Sequence, residues 1–173
     1  MQTVEELISI LENEKILGLP KEWFVEPVNQ IPTCFGNVVD PKVVFIAGSF
    51  SIAEKQSQAI FIGDEAELLQ SAIEKGLSIT INEISYYVIL DSFDENIKNK
   101  QLDAISAIKP KAIVTLGREA KNLLSADSSQ EIFIWRNIKV IPTIDLKSVI
   151  ADPVNKRVLW NSLQLVISEL NQV

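Results

Sequence analysis

Three largely apolar runs constrain this chain most: VVFIAG at 43–48, which is unbroken, and ISYYVIL at 84–90 and KAIVTL at 111–116. Each is too short to cross a membrane and reads as a strand, and VVFIAG is too continuous for a strand with one wet face, so it reads as buried on both sides. Such strands need cover above and below, and amphipathic segments between them supply it. A first helix is expected from Thr3, with Glu6 as its capping-box partner and Leu7, Ile8 and Leu11 as its apolar stripe, ending at Gly18 and Pro20. Residues 20–42, with prolines at 20, 27, 32 and 41, read as irregular. Asp64 and Glu67 form a second capping box on a helix running to about Lys75 and ended by Gly76. Lys100 to Ile108 is a third helix, stopped by Pro110, and REAKNLL after Gly117 a fourth. The last opens at Asp152-Pro153, an N-cap followed by a proline at the first helical position, with apolar residues at 154, 158, 159, 163, 166 and 170. EIFIW and IKVI flank Arg136-Asn137, either as a hairpin or as strands in separate sheet positions.

Strands alternating with helices predict an α/β fold, a three-layer α/β/α sandwich around a mostly parallel, four-stranded central sheet, in a single domain over 1–173. Ligands of such sheets bind beyond the carboxyl ends of the strands. Function is therefore expected in the loops 48–63, 90–99, 116–118 and 142–152.

Composition removes several chemistries. The chain has 173 residues, 47% hydrophobic and 23% charged, which suits a folded domain and not a disordered tail. It has no histidine, so the usual general acid or base near neutral pH is missing and Ser-His-Asp and Cys-His catalysis are excluded. Its single cysteine, Cys34, cannot make an internal disulfide or a thiolate cluster, and neither a metal nor any other cofactor is expected. Gly48-Ser-Phe-Ser-Ile-Ala lacks the second and third glycines of a dinucleotide fingerprint, and no phosphate-binding P-loop is present. Without a membrane-length apolar run, and with an acidic start, MQTVEELISI, the expected location is the cytoplasm and no membrane partner is expected. The net charge of −7 opposes nonspecific nucleic-acid binding. Residues 136–157 go against that trend: Arg136, Lys139, Lys147, Lys156 and Arg157 against Asp145 and Asp152, five minus two, give +3.

Three segments, taken in order, resemble the uracil-DNA glycosylase superfamily, in particular its small bacterial and archaeal branches. VVFIAGSFSIAEKQSQAIFIGDEAELL resembles the family segment V-x-x-V-G-E-A-P-G-x-x-E-x-x-x-G-x-P-F-x-G-x-x-G-x-L-L at the same spacing. KAIVTLGREAKNLL resembles its strand–LG–x–x–A–x–x–LL segment. Pro142-Thr143-Ile144-Asp145-Leu146-Lys147, followed by Val149-Ile150, Asp152-Pro153, Lys156-Arg157 and Trp160, resembles its P-T-x-H-P-S motif with the helix behind it. The likeness spans roughly residues 35 to 170.

The resemblance implies a set of roles. The 142–152 loop would be the one that presents a histidine to the leaving base and wedges into the minor groove, with Asp145 in the histidine's place and Lys147 at the wedge. An anion there has the wrong sign for stabilising charge on a departing base. The residue that would orient water falls on Gly48, which has no side chain, and the base-reading asparagine falls within Tyr86 to Val88. The family's stacking aromatic matches Phe61. Ser49, Phe50 and Ser51 would face the substrate, and Gly117, Arg118, Lys147, Lys156 and Arg157 the DNA backbone. The plainer readings are a core position for Phe61, a turn former at Asp145, a solvated Glu54 and surface ion pairing for Lys156 and Arg157. One expectation is a glycosylase-like protein that has lost base excision and binds nucleic acid, single- or double-stranded DNA, or a protein partner. A second is an active glycosylase whose Asp145 orients water. A third is an unrelated small-molecule-binding α/β protein.

Overall fold

The apolar runs become the centre of one sheet. A computed structural model describes residues 31–125 and 131–172, so the helix expected from Thr3 lies outside the described residues. The strands are β1 (Cys34–Gly36), β2 (Val43–Ala47), β3 (Ile84–Val88), β4 (Ala112–Leu116), β5 (Phe133–Trp135) and β6 (Ile138–Thr143), in the order β1-β3-β2-β4-β6-β5. The inner four, β3, β2, β4 and β6, are parallel, while β1 and β5 run antiparallel to β3 and β6. The α/β class is as expected, but among the described residues the sheet has six strands, not four. Each added edge strand is only three residues long. β1 lies in the proline-spaced stretch read as irregular, where three residues give no periodic signal. β5 pairs with β6 as a hairpin through Arg136 and Asn137, whose φ values of 48° and 66° match the double positive φ of a two-residue type I′ turn.

Alternation along the strands divides the core in two. Val43, Phe45 and Ala47 pack with Ile84, Tyr86 and Val88 on one face, and Val44 and Ile46 with Tyr87 and Ile113 on the other. The helices are α1 (Ile52–Ser57), α2 (Asp64–Ser71), α3 (Glu95–Ile108), α4 (Arg118–Leu124), α5 (Leu146–Ala151) and α6 (Lys156–Leu170). Side chains of α2, α5 and α6 join the first core, and those of α3 and α4 the second. Leu159, Leu163 and Val166 of α6 are buried, each stabilising the fold by about 1.5–3 kcal/mol. The described residues fall within one compact unit, Ile31–Val173. No helix among them is long and apolar enough to cross a membrane.

Several helix boundaries differ from expectation. Gly63, not Asp64, is the N-cap of α2, with no side-chain capping bond, so the box expected between Asp64 and Glu67 does not form. The helix does not stop at Gly76. It continues as a π-helical turn, Ala72–Leu77, to Ser78 in the left-handed region. Gly76 is a packing glycine: a Cβ there would lie 3.1 Å from the Trp160 ring. α3 starts at Glu95, capped by Asp94, five residues before Lys100, because its polar first turn has no apolar stripe to mark it. At the last junction Asp152 accepts the Val154 N–H and Pro153 opens a 3-10 turn, while α6 itself starts three residues later than expected, at Lys156 with Asn155 as N-cap, and Val154 and Val158 of the expected apolar stripe are exposed.

From β2 the chain crosses to β3 on one side, then returns to β4 on the other. The sheet's topological switch point is therefore the crevice beyond the carboxyl ends of β2 and β4, where such folds hold ligands.

Candidate functional site: a cleft at the switch point

A cleft of about 410 Å³ opens at this crevice. One wall follows β2, from Gly48 through Lys55; the other follows β6, from Asp145 through Lys147; the start of α4, Gly117 to Glu119, lies between them.

The first wall is built around a carboxylate. Gly48 ends β2 where α4 crosses closely, and a Cβ there would sit 2.6 Å from the Cβ of Glu119. Ser51 then caps α1: its Oγ accepts the Glu54 N–H at 3.1 Å, while Glu54 Oε2 accepts the Ser51 N–H at 2.8 Å. The other carboxylate oxygen, Oε1, accepts the Phe61 N–H at 2.8 Å. Glu54 is 2% exposed, which corrects the reading of it as solvated. The segment 49–63 is likewise not one long loop, since it contains α1. Phe61 has φ 59°, a left-handed conformation costing a side-chain-bearing residue about 1–2 kcal/mol. The bond to Glu54 offsets that cost, as does ring packing: Phe61 stacks on Phe35 at 4.4 Å and 11° and meets Tyr86 edge-on at 5.2 Å.

The second wall is built around another acid. Asp145 is the N-cap of α5, its Oδ1 accepting the Ser148 N–H and its Oδ2 the Ser148 hydroxyl, both at 2.9 Å. Most of the expected 142–152 loop is thus helix. Gly117 joins this wall to α4. Its N–H donates to the Thr143 carbonyl at 2.9 Å, its φ is 89°, and a Cβ would stand 3.0 Å from that of Asp145.

Of the residues singled out in the sequence, Ser49, Phe50, Ser51, Gly117, Arg118, Asp145 and Lys147 come together on the cleft. Phe61 does not. It lines a recess of about 10 Å³ beneath the cleft, with Glu54, Glu65 and Tyr86, which holds about one water. Lys156 and Arg157 are exposed at the start of α6, outside the cleft lining. Neither makes the expected ion pair among the described residues.

Three exposed cations, Lys55, Arg118 and Lys147, rim the cleft and are in no ion pair among the described residues. Glu65 faces them with its carboxyl held above the usual range, first by burial and then by Glu54 and Asp145, with Lys147 opposing. Burial, with Glu54 and Glu65 nearby, pushes the Tyr86 hydroxyl far above the ordinary tyrosine range, so it stays protonated at neutral pH. No group of three or more histidine, cysteine or acidic side chains among the described residues is placed to hold a metal. Cys34 is a free thiol, half-buried, with its pKa raised by burial and partly lowered by its bond with Tyr87.

Lys55 and Glu65 are the site residues that sequence reasoning missed, and Glu54 is the one it misread as solvated. The Ser51-x-x-Glu54 spacing carried the signal, because it is the capping-box pattern used elsewhere in the chain. The cleft offers a ligand three cations and several hydroxyls, with Glu65, Glu119 and Asp145 among them on the lining. The oxygens of Glu54 are engaged by backbone N–H groups, and those of Asp145 by the Ser148 N–H and hydroxyl. No protein-family model matches the chain, and no curated protein matches it.

Proposed function

We propose that this protein is a uracil-DNA-glycosylase-like binding module that has lost base excision and holds a nucleic-acid strand along its cleft by the phosphate backbone, in the cytoplasm. The observation that carries this reading is the convergence on one open cleft of Lys55, Arg118 and Lys147, none of them in an ion pair among the described residues, beside Glu65, Glu119 and Asp145. Cations placed this way take phosphates without reading sequence. The family likeness draws support from topology, since the segments 47–55 and 145–147 of two separate motifs meet at the sheet's switch point. Loss of excision is supported by chemistry. There is no histidine, Asp145 serves as a helix cap, and the recess beside Phe61 is water-sized and cannot admit a flipped base.

A protein partner is a second reading, favoured by the exposed Ile52 and Ile150, which flank a groove adjoining the cleft. The net charge of −7 points the same way.

Fluorescence anisotropy with a labelled single-stranded oligonucleotide carrying uracil tests the first reading. Binding is expected at ~50 mM salt, weakening as salt rises, with no strand scission after alkali. Absence of binding at that salt overturns the nucleic-acid reading in favour of the protein partner. Scission that Asp145→Asn abolishes establishes an active glycosylase instead.

A further inference from the structure

Glu54 is the one buried carboxylate among the described residues, and no cation pairs with it there. A buried anion must be compensated, and here two backbone N–H groups do so, those of Ser51 and Phe61, both at 2.8 Å. The two donors lie at either end of α1 and the turn that follows it. Between them sits Lys55, on the cleft rim. Glu54 itself is not on the cleft surface; it faces the water-sized recess below.

We infer that Glu54 is the positioning residue of the cleft: by holding the N–H groups of Ser51 and Phe61 on its two oxygens, it fixes the wall that presents Ser51 and Lys55 to a bound strand. This rests on the nucleic-acid reading of the cleft for its ligand, though not for its geometry. Two features make the carboxylate hard to replace. Phe61 is in a left-handed conformation, which disfavours a residue with a side chain, and the acceptor of its N–H is Glu54 Oε1. Ser51 is capped reciprocally, so losing its bond to Oε2 opens one half of the α1 capping box. Glutamine has the same volume but one acceptor oxygen, and its NH₂ group would face whichever backbone N–H it does not accept. Glu54→Gln therefore releases one anchor without leaving a cavity.

The test uses the full chain and two readouts, anisotropy with the labelled single-stranded oligonucleotide and amide hydrogen exchange at Ser51 and Phe61. Glu54→Gln is expected to speed exchange at one or both amides by about a hundredfold through local opening, and to weaken oligonucleotide binding about tenfold. Ile105→Val, in the core on the opposite face of the sheet, lowers global stability without touching either amide, so it should leave both readouts at the wild-type value. If Ile105→Val weakens binding as much as Glu54→Gln, or if Glu54→Gln changes neither readout, the inference is overturned. If the wild type does not bind the oligonucleotide, the nucleic-acid reading fails and the exchange data alone decide the role of Glu54. If Glu54→Gln does not fold, the wild type decides: its Ser51 and Phe61 amides should exchange about a hundredfold more slowly than that of exposed Ser92, and equal rates overturn the proposal.

Discussion

The two walls of the cleft follow one plan and differ in reach. Each leaves a parallel strand, turns at a capped helix of six residues, and uses an acid to satisfy backbone N–H groups. Asp145 does this locally, within the first turn of α5. Glu54 does it over a longer span, joining the start of α1 to Phe61 from a buried position. The difference teaches that an acid beside a cleft is not thereby a catalyst. Both carboxylates here are occupied with architecture, and the groups free to meet a ligand are the rim cations and exposed Glu119.

That contrast can be broken by substitution. The largest effect is expected at the far-reaching acid. Glu54→Ala loses two charge-assisted bonds and leaves buried donors unsatisfied, which should cost about 3 kcal/mol, read as a shift in the urea midpoint. Gly117→Ala comes next, at about 2 kcal/mol, because φ 89° with extended ψ is nearly closed to other residues and Asp145 stands against the new methyl group. Asp145→Ala should cost only about 1 kcal/mol, the ordinary value of a helix cap, and Asp145→Ser should recover most of it. A cost at Asp145 equal to that at Glu54 would erase the distinction between the walls.

The cations are sharpened by salt. Arg118→Ala and Lys147→Ala should each lower the slope of log affinity against log salt by about 0.7 for a single strand, whatever its sequence. The smallest effect is expected at Glu65. Its carboxyl pKa is raised in the folded state, so the stability it contributes is full below the unfolded glutamate value of about 4.3 and is lost as pH rises through the folded value. Glu65→Gln should therefore gain stability on the wild type as pH climbs from 4 to 7, by a small amount because solvent screens a half-buried group. Urea midpoints at both pH values check this, and a gain that shrinks toward pH 7 would contradict it.

How much was legible follows from how each feature is held together. The central parallel strands announced themselves because burial on both faces leaves little or nothing polar in the run, as in Val43–Ala47, with no polar residue, and Ala112–Leu116, with only Thr115. Asp152-Pro153 was legible because a cap acts on neighbours in sequence. β1 was not, since Cys34–Gly36 is recognisable only by its pairing with β3. α1 was missed because IAEKQS carries no apolar stripe, although its capping box was in plain view. The bond from Glu54 to Phe61, the Phe35–Phe61 stack and the fit of Gly76 against Trp160 are contacts through space, and no spacing rule reaches them. The cleft itself was half legible. Its loops were named from strand ends, but its deep recess and the role of its acids required coordinates.

The borders of the sheet carry one more consequence. Among the described residues, both outermost strands are three residues long and run against the inner four. A second molecule seeking to add itself sideways would find only a few backbone groups to match, too few to seed lateral growth. Concentrated solutions should therefore resist fibre formation even though the interior strands, taken as isolated peptides, are rich in the residues that fibres favour.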